Sequence, residues 1–309
     1  MREIYLEDRA GIDTARMEQA LEELLAQYTA LKEVLIIPPD FTRCFSMAGE
    51  ITRALYARLH ARGVRVDIMP AVGTHAMISE EERLRMFGDL PAGIFLHHRW
   101  QTDTVRIGQV PASEVSRISG GLYEDDIDVE VNRRFWEHGY DLVLSVGQVV
   151  PHEVVGMANY SKNIFVGIGG RAMINKSHML SAICGIENTL GVDHAAARQA
   201  FDYAQEHYLN GMPLVYVQTV TVTDRAGTHL HGLYIGDSRR PYEHAVALSQ
   251  QLNITYLERP ARKVVAYLDP MELKTTWVGN KGIYRTRMAI ADGGQLLLLA
   301  PGVKSFGES

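Results

Sequence analysis

Residues 33–71 read EVLIIPPDFTRCFSMAGEITRALYARLHARGVRVDIMPA. Residues 33–37 are mostly apolar and predict a short strand, which the Pro38-Pro39 pair ends. Residues 46–62 predict a helix, and Gly63 lies just beyond its end. Residues 64–71 predict a second strand. A strand, a helix and a strand in succession are typical of a parallel β-sheet covered by helices.

The same alternation continues along the chain on both sides of this stretch. The helix at 79–88 begins with Ser79 and Glu82, which form a capping-box pattern. The other expected helices cover residues 14–31, 131–138, 193–210, 241–252 and 276–290, and the other expected strands cover 95–100, 141–146, 214–222, 263–268 and 296–299. We therefore predict an α/β fold with mostly parallel sheets.

The length and the helix at 193–210 predict two α/β domains. A chain of 309 residues is long enough for about two domains of ordinary size. The helix has several alanines and separates two α/β runs. We therefore predict an N-terminal domain over residues 1–190 that holds the functional residues, a linker helix over 191–212 and a C-terminal domain over 213–309.

The composition excludes several classes of protein. The formal net charge of −6 argues against a nucleic-acid binder and against binding to an anionic membrane. Two cysteines, Cys44 and Cys184, are too few for a disulfide framework or a cysteine-rich zinc site. The first residues are charged, and no apolar run reaches transmembrane length. We therefore expect a cytoplasmic protein.

Three loops follow predicted strands, where ligands bind in open α/β sheets. The first holds Asp40 and Arg43, whose side chains can orient a sugar or bind a carboxylate; alternatively they are a helix N-terminal acid and a solvated arginine. The loops at 73–76 and 147–152 contain His75 and His152. Each histidine is a candidate acid or base near neutral pH, although a single loop histidine is more often structural.

A lysine and a glycine-rich stretch follow the third loop. Lys162 lies ten residues after His152, residues 166–171 read VGIGGR, and His178 lies sixteen residues after Lys162. Glycines let the backbone approach a phosphate or a ring closely, but no strict nucleotide-binding motif is present. A lysine in such a loop is usually on the surface. Between two histidines, Lys162 becomes a candidate covalent or phosphate anchor.

Three residues in the C-terminal third have open assignments. His229 and His231 alternate along the chain, so that in a strand both would lie on one face and could share a metal ion; a third ligand is not nearby in sequence. Lys281 lies near the start of the last predicted helix. It is either a contact for a phosphate or carboxylate or a solvated side chain.

Taken in order, these residues resemble the nickel-pincer lactate racemase family. The resemblance covers about residues 33–191 and continues more loosely through Lys281 to the Gly293-Gly294 turn. Its matching elements are Asp40-x-Thr42-Arg43, Gly73-Thr74-His75, Pro151-His152, Lys162 and Ser177-His178. Each motif alone is weak, whereas the ordered set is specific.

The resemblance implies an interdomain active-site cleft and a nickel-pincer nucleotide, so that cofactor-biosynthesis proteins are expected partners. In this pattern Lys162 holds the cofactor covalently as a thioamide, and His178 is the protein's ligand to square-planar nickel. His75 and His152 flank a 2-hydroxy acid as two bases during hydride transfer. The remaining expected site residues are Arg43 and Lys281 as a carboxylate clamp, and Asp40, Thr42, Gly167, Gly169 and Gly170 around the cofactor.

The sequence departs from the family pattern around the substrate. Residues 159–161 read NYS where a glycine pair often precedes the lysine, and Val278 occupies the place of a common glutamine. The chain is also shorter than typical lactate racemases. We therefore expect a 2-hydroxy acid other than lactate, with an aldonate such as gluconate or mannonate, inverted at C2, as the candidate. The alternatives are a non-catalytic relative that binds a nucleotide or sugar acid, and a zinc-dependent hydrolase that uses His229 and His231.

Overall fold

The computed structural model describes residues 1–270 and 273–307. The strands are β1 (Ile4–Glu7), β2 (Glu33–Ile37), β3 (Arg65–Ile68), β4 (Thr104–Val110), β5 (Ile127–Asn132), β6 (Leu142–Gln148), β7 (Pro151–His152), β8 (Gly156–Met157), β9 (Leu214–Asp224), β10 (Gly227–Gly236), β11 (Ala261–Tyr267) and β12 (Ile290–Leu299). The α-helices are α1 (Thr14–Ala26), α2 (Ala48–Ala61), α3 (Glu80–Phe87), α4 (Ala112–Ser119), α5 (Arg133–Glu137), α6 (Arg171–Cys184), α7 (Ala196–Tyr208), α8 (Arg240–Asn253), α9 (Thr276–Gly279) and α10 (Lys281–Thr286).

The main sheet of the described residues has the strand order β1-β10-β9-β6-β2-β3. Strands β3, β2, β6 and β9 run parallel, and β10 and β1 complete the sheet in antiparallel pairs. The central strands β2 and β6 are almost wholly buried, as expected for parallel strands with helices on both faces. The predicted α/β class with a mostly parallel sheet is confirmed.

Alternate residues of the central strands enter two different cores. Val34 and Ile36 face one core, which they share with apolar residues of α1 and α2. Leu35 and Ile37 face the other core, with apolar residues of α6, α7 and α8. Successive side chains of a strand point to opposite faces, so the continuous apolar run of β2 supplies both layers.

The strands on the two sides of the predicted linker share this sheet. Strand β9 pairs with β6, and β10 pairs with β1, so residues 214–236 belong to the main sheet. Helix α7, within the predicted linker at 191–212, contacts α4, α6 and β4. A separate parallel pair, β11 and β12, packs with α10. A boundary at 191–212 therefore does not coincide with a boundary between sheets.

Several predicted elements differ from the structure. Residues 95–100 do not form a strand, because only Phe95 bridges to Ile68 and the buried His98 instead bonds the Gly169 carbonyl and Asn132. The helix predicted at 276–290 is divided into α9, α10 and a 3-10 turn. The first two residues of the helix predicted at 131–138 belong to β5.

None of the described helices is long and apolar enough to cross a membrane.

Candidate active site

A cavity of about 550 Å³ opens beyond the carboxyl ends of β2, β3 and β6. The loops that follow these strands line it, together with α6 and the segment from 277 to 287. This is the edge at which open α/β sheets bind ligands. The predicted site residues on its wall are Asp40, Thr42, Arg43, His75, His152, Lys162, Gly167, His178 and Lys281.

Asp40 holds His75 from the loop after β2. Its Oδ1 accepts hydrogen bonds from the Thr42 amide at 3.2 Å and the Thr42 hydroxyl at 2.6 Å. Its Oδ2 lies 2.5 Å from Nδ1 of His75. Burial would raise the pKa of Asp40, but His75, Thr42 and Lys162 outweigh it and lower this pKa to about 2. Because the carboxylate is ionised, Nδ1 of His75 is the donor in this contact, so that Nε2 is the acceptor whenever the imidazole is neutral.

A tight turn places His75 at this point. Gly73 has a φ of 57°, a conformation that glycine adopts without strain. Its amide donates a hydrogen bond to the carbonyl of Gly167 at 2.9 Å, which ties the loop after β3 to the loop after Lys162. An added Cβ on Gly167 would lie 2.5 Å from the Cβ of Ala71, so Gly167 allows these two loops to approach closely.

Lys162 lies at the end of a strained turn. Asn159 and Tyr160 both have positive φ, at 65° and 54°, which is unusual for a bulky residue such as tyrosine. Burial, followed by the charges of Arg43 and Lys281, lowers the pKa of Lys162 to about 8. A lysine with this pKa is partly neutral near physiological pH and is therefore a nucleophile.

A buried arginine stabilises the turn that precedes Lys162. Arg198 of α7 is fully buried and donates to the Ser161 hydroxyl at 2.6 Å, to the Met157 carbonyl at 2.6 Å and to the Asn159 carbonyl at 3.1 Å. The Ser161 hydroxyl in turn donates to Asp202 at 3.0 Å. Arg198 is not among the residues predicted from the sequence. These bonds fix the backbone that leads into Lys162.

His178 lies on α6 and faces the cavity. Its Nδ1 bonds the Ile174 carbonyl one turn earlier at 2.6 Å, so Nδ1 carries the proton and Nε2 keeps a lone pair. Burial lowers the pKa of His178. A histidine that donates its other ring nitrogen to a carbonyl has the usual arrangement of a metal ligand.

His152 is held in the opposite sense. It is buried, and its Nδ1 accepts the backbone N–H groups of Val154 at 3.1 Å and Val155 at 3.4 Å. Burial is the main reason that its pKa lies well below the ordinary value. The charge of Glu153 opposes this shift, and those of Lys162, Lys281 and Arg43 add to it.

Lys281 reaches the cavity from α10 and meets the carboxylate of Glu153, which is not among the residues predicted from the sequence. Its Nζ lies 3.6 Å from Oε1 of Glu153, which is only 5% exposed. Burial would raise the pKa of Glu153, but His152, Lys281 and Arg285 lower it well below the ordinary value. Glu153 is therefore a buried anion between a cavity histidine and a cavity lysine.

Two glycines predicted around the cofactor lie outside this wall. A Cβ on Gly169 would lie 1.9 Å from the Phe165 carbonyl oxygen, and a Cβ on Gly170 would lie 2.5 Å from a Glu130 carboxylate oxygen. Close packing between the loop and its neighbours explains why glycine occupies both positions.

The histidines of β10 do not form a metal centre with other residues. His229 lies 3.3 Å from Asp224, and Nδ1 of His231 lies 3.2 Å from the carbonyl of Asp8. Within residues 1–270 and 273–307, no three His, Cys, Asp or Glu side chains are grouped to hold a metal. The ligand set that a zinc hydrolase needs is thus missing from the described chain.

The fold and the site define an α/β protein with a polar cavity at the carboxyl edge of its sheet. Residues 10–190 match the family of the lactate racemase N-terminal domain, which is more than half of the chain. The chain therefore belongs to this family. None of the curated proteins matches it.

Two solved structures resemble the chain. A structural-genomics protein from Thermotoga maritima is 26% identical, with a TM-score of 0.85 over 94% of this chain and 71% of that one. The lactate racemase apoprotein from Thermoanaerobacterium thermosaccharolyticum is 18% identical, with a TM-score of 0.66 over 92% of this chain and 67% of that one. The second likeness concerns the fold alone.

Proposed function

We propose that this protein is a racemase or epimerase of 2-hydroxy acids that uses a covalently attached nickel-pincer nucleotide. One observation carries the proposal: a single cavity holds Lys162 with a pKa of about 8 and His178 with its Nε2 lone pair available. Membership of the family of the lactate racemase N-terminal domain supports the same proposed function.

The residues present fit such a group. The partly neutral amine of Lys162 suits covalent attachment. His178 supplies one imidazole, and the described residues offer no cluster of three metal-binding side chains. A metal at His178 therefore needs donors that come with the cofactor, and the soft donors of a pincer meet that need.

The reaction then divides between the cofactor and the chain. The chemistry that the cofactor supplies when bound is reversible acceptance of a hydride from the α-carbon. Arg43 and Lys281 are cations on the cavity wall that suit the substrate carboxylate. His75 takes the proton of the α-hydroxyl at Nε2, because Asp40 holds the proton of Nδ1 in place.

For the substrate we propose an aldonate, such as gluconate or mannonate, that is inverted at C2. The cavity of about 550 Å³ is lined by further polar side chains, including Gln148, Asn159 and Asn280, and by Trp277. Hydroxyl-rich substrates need polar partners of this kind.

The intact mass and nickel content of protein produced together with the cofactor-biosynthesis enzymes test this function. We expect a mass adduct on Lys162 and about one nickel per chain, held by His178, whose Nδ1 donates to the Ile174 carbonyl and whose Nε2 is therefore an acceptor. Lys162→Ala should lose the adduct, whereas Lys176→Ala, which removes a lysine paired with Asp125 on the surface of α6, should keep it. His178→Ala should lose nickel.

Unmodified, nickel-free protein would contradict the proposal if a lactate racemase produced in the same cells is loaded. That result would favour a relative that binds a nucleotide or sugar acid without catalysis.

A further inference from the structure

An ion pair joins two distant segments of the chain on the cavity wall. Oε1 of Glu153, in the turn between β7 and β8, lies 3.6 Å from Nζ of Lys281 on α10. The Lys281 side chain is 12% exposed and the Glu153 side chain 7%, so water screens their attraction only weakly. At 3.6 Å the contact is longer than a hydrogen bond. Glu153 therefore holds the ammonium by charge and takes up none of its N–H groups.

The backbone fixes the position of the Glu153 carboxylate. Its neighbour His152 pairs with Gly156 across the hairpin of β7 and β8. The carbonyl of Gly156 accepts a hydrogen bond from the amide of Gly191 at 2.9 Å. A Cβ on Gly156 would lie 1.9 Å from the carbonyl oxygen of Val192, so the hairpin packs closely against this segment. Glu153 is thus a charge on a rigid part of the cavity wall.

The side chain of Lys281 has no such rigidity of its own. A lysine ammonium is a point charge on a flexible stem of four carbons. Lys281 opens α10, a helix of six residues. The groups around such an ammonium therefore decide where it lies, and the buried carboxylate of Glu153 is a fixed one.

The second oxygen of Glu153 indicates that the carboxylate is not there for stability alone. Oε2 is buried and has no hydrogen-bond partner within residues 1–270 and 273–307. A buried ionised carboxylate with an unused oxygen is costly to the fold. Costly polar groups of this kind are typical of functional sites.

We propose that Glu153 is a positioning residue that holds the ammonium of Lys281 where the carboxylate of the 2-hydroxy acid binds. This inference rests on the proposed function and adds a residue to the carboxylate clamp of Arg43 and Lys281. Glu153 acts through Lys281, whose N–H groups contact the substrate. Because Glu153 directly follows His152, the same hairpin fixes the substrate carboxylate relative to that histidine.

Acetylation of the unloaded full chain, read by peptide mass spectrometry, tests the ion pair. Glu153→Gln keeps the size of the side chain and removes its charge, which favours the unreactive ammonium of Lys281. At one fixed pH, we expect Lys281 to be acetylated about tenfold faster in this variant than in wild type. An unchanged rate would overturn the proposal.

Two controls separate the lost charge from a detached C-terminal segment. Glu187→Gln removes an exposed carboxylate that pairs with Arg287 on the same segment, and should change the Lys281 rate by less than about twofold. Lys274, which pairs with Glu82, should keep its rate in both variants. A parallel rise for Lys274 in Glu153→Gln would show a structural role and would overturn the proposal.

A double-mutant cycle on the loaded enzyme tests whether Glu153 acts through Lys281. Glu153→Gln alone should raise the KM of the 2-hydroxy acid about tenfold, and Glu153→Asp, which keeps the charge, should recover most of this loss. In the Lys281→Met background, Glu153→Gln should leave KM unchanged. An equal rise in KM in both backgrounds would overturn the proposal.

The two experiments fail separately. Acetylation needs neither cofactor nor substrate, so an unchanged Lys281 rate contradicts the role of Glu153 whatever the reaction is. Loaded wild-type protein that inverts none of the 2-hydroxy acids contradicts the proposed function, and with it the role of this ion pair in substrate binding.

Discussion

The Oδ2 atom of Asp40 lies 2.5 Å from Nδ1 of His75, while the Thr42 hydroxyl occupies Oδ1 of the same carboxylate at 2.6 Å. Asp40 is only 5% exposed, so its carboxylate interacts mainly with protein groups and not with solvent. The contact fixes the imidazole and leaves Nε2 as the acceptor. It joins the loop after β2 to the loop after β3.

Asp40→Asn should destabilise the protein at neutral pH. The pKa of Asp40 is lowered to about 2 in the folded state, so its contribution is fully present above the unfolded pKa of about 4 and is lost as the pH falls towards 2. Urea unfolding at pH 7 should show a loss of about 2 kcal/mol. The difference from wild type should shrink between about pH 4 and pH 2; a constant difference would contradict the assigned ionisation.

Lys162 should react with amine reagents at unusually low pH. Its pKa is about 8, so half of its amine is neutral at that pH. Acetylation of the unloaded protein, followed by peptide mass spectrometry, should show an inflection for Lys162 near this value. Lys176, whose pKa is raised by Asp125, serves as the internal control and should react only at higher pH. The same inflection for both lysines would refute the assigned pKa of Lys162.

Removal of the buried arginine should loosen the turn before Lys162. Arg198→Met leaves the carbonyls of Met157 and Asn159 and the hydroxyl of Ser161 without their donor. We expect a loss of about 3 kcal/mol in the free energy of unfolding, measured with urea. Arg106→Ala removes an exposed pair with Asp128 and should cost less than about 1 kcal/mol. Similar losses in both variants would show that Arg198 does not support the turn.

Gly169→Ala should reduce stability because a Cβ there would lie 1.9 Å from the Phe165 carbonyl oxygen. We expect a cost of about 1–3 kcal/mol, typical of overpacking. Gly93→Ala is the control, since a Cβ there meets nothing within 4 Å and needs no unusual φ. Thermal unfolding of the unloaded proteins compares the two. An unchanged Tm for Gly169→Ala would indicate that close packing is not the reason for this glycine.

Much of the site was predictable because the chain alternates strands and helices. The apolar run at 33–37 identifies a central parallel strand, and the loops after parallel strands meet at one edge. This rule alone places Asp40, His75 and His152 on one side of the sheet, where the structure has them.

Other parts of the site depend on contacts between distant segments. Arg198 lies on an alanine-rich helix, and arginine side chains are usually exposed to solvent. The packing of α7 nevertheless buries it. Glu153 meets Lys281 only because α10 folds over the cavity. Nδ1 of His152 accepts from two amides in the turn between β7 and β8, and residue type alone does not specify where an N–H points.

Helix α6 is not among the helices predicted above, although its sequence contains a helical pattern. Its buried positions Met173, Ile174, Ser177, Leu180 and Ser181 repeat at helical spacing. Ser177 and Ser181 are polar and the preceding stretch is rich in glycine, which weakened the apolar pattern. The helix places His178 one turn after Ile174 and so decides which ring nitrogen faces the cavity.

The most direct test of the proposed reaction follows an α-deuterated 2-hydroxy acid through inversion by the loaded enzyme in ordinary water. A hydride that leaves the α-carbon and returns to it stays out of exchange with solvent, so the inverted product should keep its α-deuterium. Mass spectrometry of the product after chiral separation reads the label. Loss of deuterium at the rate of inversion would show proton abstraction from carbon and would contradict the proposed hydride transfer.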